Sequence, residues 1–225
     1  MKEILKVESL KKHYGKEGNI TKALDCISFQ VFEGEFLAIM GASGSGKTTL
    51  LNCLASITKA SSGSIQILGK NMASMDKDQL ADYRGKEMGY LFQNFELIEN
   101  LTARENMLLP MSLHEVSSIG DGRLEKIAKY FNLMDVLDKF PSQMSGGEKQ
   151  RVAAARAFIL DPKIVFADEP TGALDSKNAD LLMKRLSTMN EEENTTILMV
   201  THDALAASFC KRILFIQDGK LFHEI

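Results

Sequence analysis

Phe36-Leu37-Ala38-Ile39-Met40 runs straight into Gly41-Ala42-Ser43-Gly44-Ser45-Gly46-Lys47-Thr48-Thr49, and Leu50, Leu51 and Leu54 follow at helical spacing. An apolar strand, a glycine-rich turn and an apolar helix therefore occur in the order that G-x-x-x-x-G-K-[ST] requires, with every fixed position satisfied. Gly41, Gly44 and Gly46 allow backbone conformations closed to bulkier residues, so successive N–H groups can turn inward as an anion nest at the head of the helix. A triphosphate is expected there, with Lys47 reaching its outer phosphates and the Thr48 hydroxyl placed to ligate Mg²⁺.

The chain has 225 residues, 44% of them hydrophobic, which suffices for one large domain or a domain with a sizeable subdomain. Its formal charge of -3 and the lack of a basic stripe argue against a nucleic-acid partner. Cys26, Cys53 and Cys210 are odd in number and widely spaced, so they suggest neither a disulfide framework nor a zinc site; they read as reduced core residues. The first residues alternate charged and apolar and contain no signal-peptide core, and no apolar run approaches the ~20 residues needed to span a bilayer. Any service to a membrane is expected to pass through a partner.

Working outward, Ile4–Leu10 and the alternation of Ile27, Phe29 and Val31 predict antiparallel strands before the phosphate loop. Beyond it, Ser61–Gly63 reads as a turn, Ser64–Leu68 as a strand, Asp76 as the cap of a helix to about Arg84, and Met88–Phe92 as a strand ending at Gln93. From Asn94 to about Leu160 the pattern is helical, with a capping box at Thr102–Glu105 and a stripe at Leu124, Ile127, Ala128 and Phe131; Ser117–Gly122 reads as a loop within it. Ile164–Ala167 and Thr196–Thr201 read as buried strands around a helix at Leu181–Met189, and Ile213–Ile216 turns through Asp218-Gly219 into a hairpin. The expected organisation is one domain over 1–225. Residues 1–93 and 161–225 would form an α/β core with an antiparallel β part, and residues 94–160 an inserted helical subdomain.

Chemistry concentrates at the ends of these elements. Asp168 follows a buried strand, where a parallel sheet places ligands and where P-loop enzymes hold Mg²⁺; Glu169 beside it suits the orientation and polarisation of an attacking water. Gln93 can reach a metal or a water with its amide oxygen, and His202, at another strand end, can donate to a γ-phosphate oxygen. Ser145 and Glu148 form a capping box in Met144-Ser145-Gly146-Gly147-Glu148-Lys149-Gln150, whose glycines open a helix N-terminus to a second anion. Tyr14 offers a face for stacking on an adenine, or simply packs at a strand end.

Taken together these motifs resemble the ATP-binding subunits of ABC transporters from Lys11 practically to the end of the chain. The resemblance implies a P-loop NTPase fold of the ABC nucleotide-binding type, with ATP and Mg²⁺ as cofactors. It assigns Tyr14 to adenine stacking, Gly41–Thr48 to the Walker A loop, Gln93 to the Q-loop, Met144–Gln150 to the signature, and Asp168 to Walker B. Glu169 would be the catalytic glutamate, Ala173-Leu174-Asp175 the D-loop and His202 the switch histidine. It further implies head-to-tail pairing with a second ATP-binding subunit, each ATP held between one Walker A loop and the partner's signature. The cofactor site would then comprise Tyr14, Gly41 to Thr49, Ser145, Gly146, Gly147 and Asp175, and an integral membrane permease would hold the pair at the cytoplasmic face of the cell membrane. The long loop after Tyr14, Phe92–Phe95, Leu101–Asn106 and Pro170–Ser176 are similar to the lipoprotein-release and macrolide-export group (LolD/MacB-like), within it to the bacitracin-export branch (BceA-like). Met144 in place of Leu, Glu148-Lys149 after the glycines and Ala42 in place of Pro depart from that pattern. The implied role is ATP hydrolysis driving a permease, in peptide-antibiotic export or defence. The alternatives are a mechanotransmitting pair of the FtsE type and a soluble ABC ATPase of DNA repair or translation.

Overall fold

The structure, a computed structural model, describes residues 2–15, 19–114 and 122–223. Two sheets carry the fold. The first is antiparallel, in the order β2 (Thr21–Phe32), β1 (Glu3–Tyr14), β4 (Ser62–Ile67), β5 (Lys70–Asn71). The second has the order β10 (Lys220–His223), β9 (Arg212–Gln217), β3 (Phe36–Met40), β8 (Thr196–Thr201), β7 (Ile164–Asp168), β6 (Met88–Leu91), parallel throughout except for the β9–β10 hairpin. Helix α1 (Lys47–Leu54) follows β3, and α2 (Lys77–Glu87) precedes β6. Among the described residues, three α-helices lie between β6 and β7: α3 (Ala103–Leu113), α4 (Arg123–Tyr130) and α5 (Gly146–Phe158). Helices α6 (Ser176–Glu192) and α7 (Ala204–Ala207) flank β8.

Strand alternation explains why the parallel strands are apolar without a break. Phe36 and Ala38 of β3, Val165 and Ala167 of β7, and Ile197 and Met199 of β8 face a core shared with α3 to α6. Leu37 and Ile39, Ile164 and Phe166, and Leu198 and Val200 face the opposite core, shared with α1 and the antiparallel sheet. Both faces are covered, so every position must be apolar, as parallel sheets require. Helix starts follow local chemistry: Asp76 with Gln79, Thr102 with Glu105, and Ser145 with Glu148 each form a reciprocal capping box.

Several boundaries differ from the sequence expectation. Strands β1 and β2 run past Leu10 and ahead of Ile27, because their twelve-residue ladder tolerates register shifts that break the alternation. Ser62 and Gly63 belong to β4 rather than to a turn. Helix α6 begins at Ser176, well before Leu181, because Asp175 caps it, and α2 runs to Glu87 rather than Arg84. Residues 94–101 are irregular, not helical: buried Asn106 fills them with polar contacts, donating to the Ile98, Leu101 and Thr102 carbonyls and accepting from Ile98 N–H. Cys26 is exposed rather than a core residue; Cys53 is buried, and burial pushes the Cys210 thiol up to about 12. The loop expected over Ser117–Gly122 lies outside the described residues except for Gly122, which caps α4.

Candidate nucleotide site

The phosphate loop bends back beneath the end of β3. Gly46 adopts φ 105° at the head of α1 and Gly44 φ 79°, values that L side chains rarely reach. A Cβ on Gly41 would run into the Ile216 carbonyl of β9. The hairpin after β9 grips the loop from outside, since Gly219 N–H donates to the Ser45 carbonyl at 3.0 Å. A cleft of about 580 Å³ opens along this edge, lined by Gly41 to Ser45 and by Phe215, Ile216, Gln217, Asp218 and Phe222.

Lys47 is only 4% exposed, and its ammonium donates to the Gly41 and Ala42 carbonyls at 2.8 and 2.9 Å. It stands curled into the mouth of its own loop. Its third neighbour is Glu169 Oε1 at 3.5 Å, and Glu169 Oε2 lies 3.0 Å from His202 Nδ1. Thr48 Oγ1 donates to Asp168 Oδ1 at 3.0 Å. Burial pushes the Asp168 carboxyl above its ordinary range; the Thr48 hydrogen bond opposes this, the Glu169 charge adds to it, and the Lys47 charge opposes it. Lys47, Thr48, Asp168, Glu169 and His202 thus converge at the C-terminal ends of β3, β7 and β8.

Glu169 continues the ladder through its N–H to the Val200 carbonyl, then turns at φ 43°, a left-handed conformation costly for a non-glycine residue, directly before Pro170. The strain aims its carboxylate back between Lys47 and His202. Gln93 joins the same edge: its amide nitrogen is 3.3 Å from where a Gly172 Cβ would stand, and Gly172 N–H closes a turn on the Glu169 carbonyl.

These residues suit a magnesium nucleotide. The Thr48 hydroxyl and one Asp168 oxygen are close enough to share one cation, and among the described residues no cluster of three His, Cys, Asp or Glu forms a metal cage. That sparse donor set suits magnesium, which keeps waters and substrate phosphates as ligands. The Ser45 hydroxyl is buried in the loop with no hydrogen-bond partner among the described residues, a polar atom waiting for an anion.

The remaining expected residues lie elsewhere. Ser145 and Gly146 are exposed at the head of α5, and Gly147 packs on Asn178. Among the described residues, no hydrogen bond or ion pair joins this helix start to the phosphate loop. Asp175 caps α6, accepting from Asn178 N–H at 2.9 Å. Tyr14 ends β1 in the other sheet, 45% exposed, with the Lys12 ammonium 4.8 Å from its ring centre. Sequence reasoning placed Gln150 at the end of the signature stretch without saying what its side chain does, and gave no role to Asn178 or Arg156. Arg156 donates to the Phe95 and Glu96 carbonyls, and Arg151 to the Asn178 side chain. For Gln150 and Arg156 the available signal was polar character among the alanines and valine of α5; Asn178, in the polar first turn of α6, carried none.

Comparison with known proteins agrees with this geometry. The family described as ABC transporter matches residues 24–172. The bacitracin export ATP-binding protein BceA of Halalkalibacterium halodurans is 47% identical, over 99% of this chain and 88% of that protein. MacB of Syntrophobacter fumaroxidans, a macrolide export ATP-binding/permease protein, is 38% identical over 99% of this chain, which spans 32% of it. A dimeric, post-hydrolysis structure of the cassette MJ0796 with ADP and Pi superposes with a TM-score of 0.90 at 37% identity, covering 99% of this chain and 98% of the other. With the phosphate loop, the carboxylate pair and the capped glycine-rich helix all in place, the chain belongs to the ABC transporter family, as an ATP-binding subunit of the LolD/MacB-like group similar to its bacitracin-export branch.

Proposed function

We propose that this subunit binds and hydrolyses MgATP as half of a head-to-tail pair, and that the pair drives a membrane permease acting on peptide antibiotics. The observation that carries the reading is the convergence of Lys47, Thr48, Asp168, Glu169 and His202 at one sheet edge. Lys47 releases its loop carbonyls and takes the outer phosphates, while the loop N–H groups and the α1 N-terminus hold the rest. Thr48 and Asp168 hold magnesium, with Gln93 beside them. Magnesium, when bound, neutralises charge on the phosphate oxygens. Glu169 orients the attacking water and accepts its proton; His202, beside the Glu169 carboxylate, turns its N–H to donate to a γ-phosphate oxygen when nucleotide is bound. Tyr14 stacks on the adenine, and Asp175 contacts the partner.

The exposed start of α5 supports the pairing. Ser145-Gly146-Gly147 presents a capped helix N-terminus suited to phosphate, yet among the described residues it makes no hydrogen bond or ion pair with its own phosphate loop, so a second copy is the natural source of its ligand. The permease reading rests on the bacitracin-export relative and on the apolar segment after Gln93. Of that segment Met107 is fully buried, and Leu97 and Met111 pack against the core, so the docking face is left to Ile98, 44% exposed, and to half-buried Phe95, Leu101, Leu108 and Leu109. No helix among the described residues is long and apolar enough to cross a membrane, so this reading places the subunit at the cytoplasmic face through the permease.

The test is recovery of the tagged subunit with its membrane partner from detergent-solubilised membranes, wild type beside Phe95→Ala combined with Ile98→Ala. Wild type is expected to bring down a permease that the double variant loses while keeping nucleotide binding. Cells carrying the recovered permease with wild-type subunit should then survive bacitracin better than cells carrying Glu169→Gln. Equal recovery by both forms removes the docking face, and equal survival removes the antibiotic role in favour of a mechanotransmitting pair.

A further inference from the structure

The Gln150 side chain is 1% exposed and stands one turn into α5, on the helix whose N-terminus is the proposed partner-facing surface. Its amide nitrogen donates to two backbone carbonyls from different strand ends: Pro170 at 2.8 Å and Phe92 at 3.2 Å. Both partners are acceptors, so the NH₂ group must face them, and one side chain uses both of its hydrogens to join two loops. Those carbonyls have telling positions. Phe92 immediately precedes Gln93, and Pro170 immediately follows Glu169. The amide oxygen Oε1 has no partner among the described residues, a cost that a purely structural side chain would avoid by being apolar.

We infer that Gln150 is a positioning residue that ties the start of α5 to both Gln93 and Glu169, so that what α5 binds is felt at the hydrolytic carboxylate of the same chain. The inference rests on the head-to-tail reading. There, α5 of one copy meets the nucleotide held by the other, while its own Gln93 and Glu169 serve its own nucleotide. Gln150 then couples the two sites of the pair. The route is short and rigid. A tilt or shift of α5 moves the Gln150 amide, and with it the turn from Glu169 to Gly172, which is already closed by Gly172 N–H on the Glu169 carbonyl. The strained φ of 43° at Glu169 makes its carboxylate direction sensitive to the carbonyl next door. Reciprocity requires that ATP at either site alter the other through the same contact.

The experiment replaces Gln150 by Met, which keeps length and volume and removes both donors. ATP hydrolysis is followed against ATP concentration, with nucleotide affinity measured separately and melting temperature as a check on folding. In Gln150→Met, kcat is expected to fall about ten- to hundredfold, as when a reacting group is displaced by about 1 Å, with ATP affinity unchanged. The sigmoidal ATP dependence expected of two coupled sites should become hyperbolic. A lower melting temperature with wild-type kcat and sigmoidality overturns the inference and leaves Gln150 a packing residue. Should Gln150→Met fail to fold, Gln150→Asn, which stays polar but falls one methylene short of the two carbonyls, is read the same way. A parallel measurement separates the underlying reading: if Glu169→Gln with intact Gln150 stays monomeric in MgATP, the pairing fails and the inter-site coupling with it. If that parent dimerises while Gln150→Met keeps wild-type kcat and cooperativity, only the role of Gln150 is lost.

Discussion

Replacing Glu169 with Gln isolates the charge of the water-orienting carboxylate, because shape and polar reach are kept. The side chain stands 3.5 Å from the buried Lys47 ammonium and 3.0 Å from His202 Nδ1. At an effective dielectric near 20 the gross attraction across the Lys47 gap is about 5 kcal/mol. Desolvation of two largely buried charges offsets most of it, and the Gln amide oxygen still accepts from Lys47 or His202, so the net loss of stability should be about 1 kcal/mol. Turnover responds far more, since loss of a positioned general base costs about 10²- to 10⁴-fold. Nucleotide affinity should hold or rise, because a negative charge beside the phosphate-binding lysine has gone and the cradle of Gly41 to Thr49 is untouched. Steady-state hydrolysis beside equilibrium nucleotide binding separates these effects. Near-normal turnover in Glu169→Gln refutes the role of Glu169; a collapse of both binding and turnover would show that the carboxylate instead holds the site together.

Lys47→Ala should weaken ATP binding by about a hundredfold, as expected from losing about two charge-assisted hydrogen bonds, and wild-type affinity in an equilibrium titration would remove Lys47 from the phosphates. Asp168 has a carboxyl pKa raised by burial, so the folded chain holds that proton more tightly than the unfolded one, and nucleotide-free stability falls as pH climbs from the ordinary carboxylate value through the raised one. Asp168→Asn should therefore melt about 2–4 °C higher at neutral pH, show a flatter pH dependence of melting and lose magnesium-dependent turnover; a lower melting temperature in calorimetry counts against this account. Glu169→Gln in MgATP should dimerise in light scattering, and adding Ser145→Arg, which crowds the α5 N-terminus, should block dimerisation. An unhindered dimer in the double variant would move the contact away from α5.

Much of this protein was legible without a structure because its signals are local. The capping boxes at Asp76, Thr102 and Ser145 span three residues, the phosphate loop is a contiguous nest, and strands β3, β7 and β8 announce themselves as unbroken apolar runs. Sequence position alone therefore put Lys47, Asp168, Glu169 and His202 at element ends, and family resemblance supplied roles for them. Tertiary structure alone decided which of those ends meet. Thr48 and Asp168 are 120 residues apart and touch only because β3, β8 and β7 lie side by side in the parallel sheet. Gln150 falls within the signature stretch, but nothing in that motif says what its side chain holds until α5 sets its amide between the Phe92 and Pro170 carbonyls. Asn106 likewise shapes the stretch after Gln93 by contacts that a helical period cannot encode. Periodicity and capping report the chain's interaction with its nearest neighbours, whereas the order of strands in a sheet is set by packing both of its faces, and that order is what assembles the site.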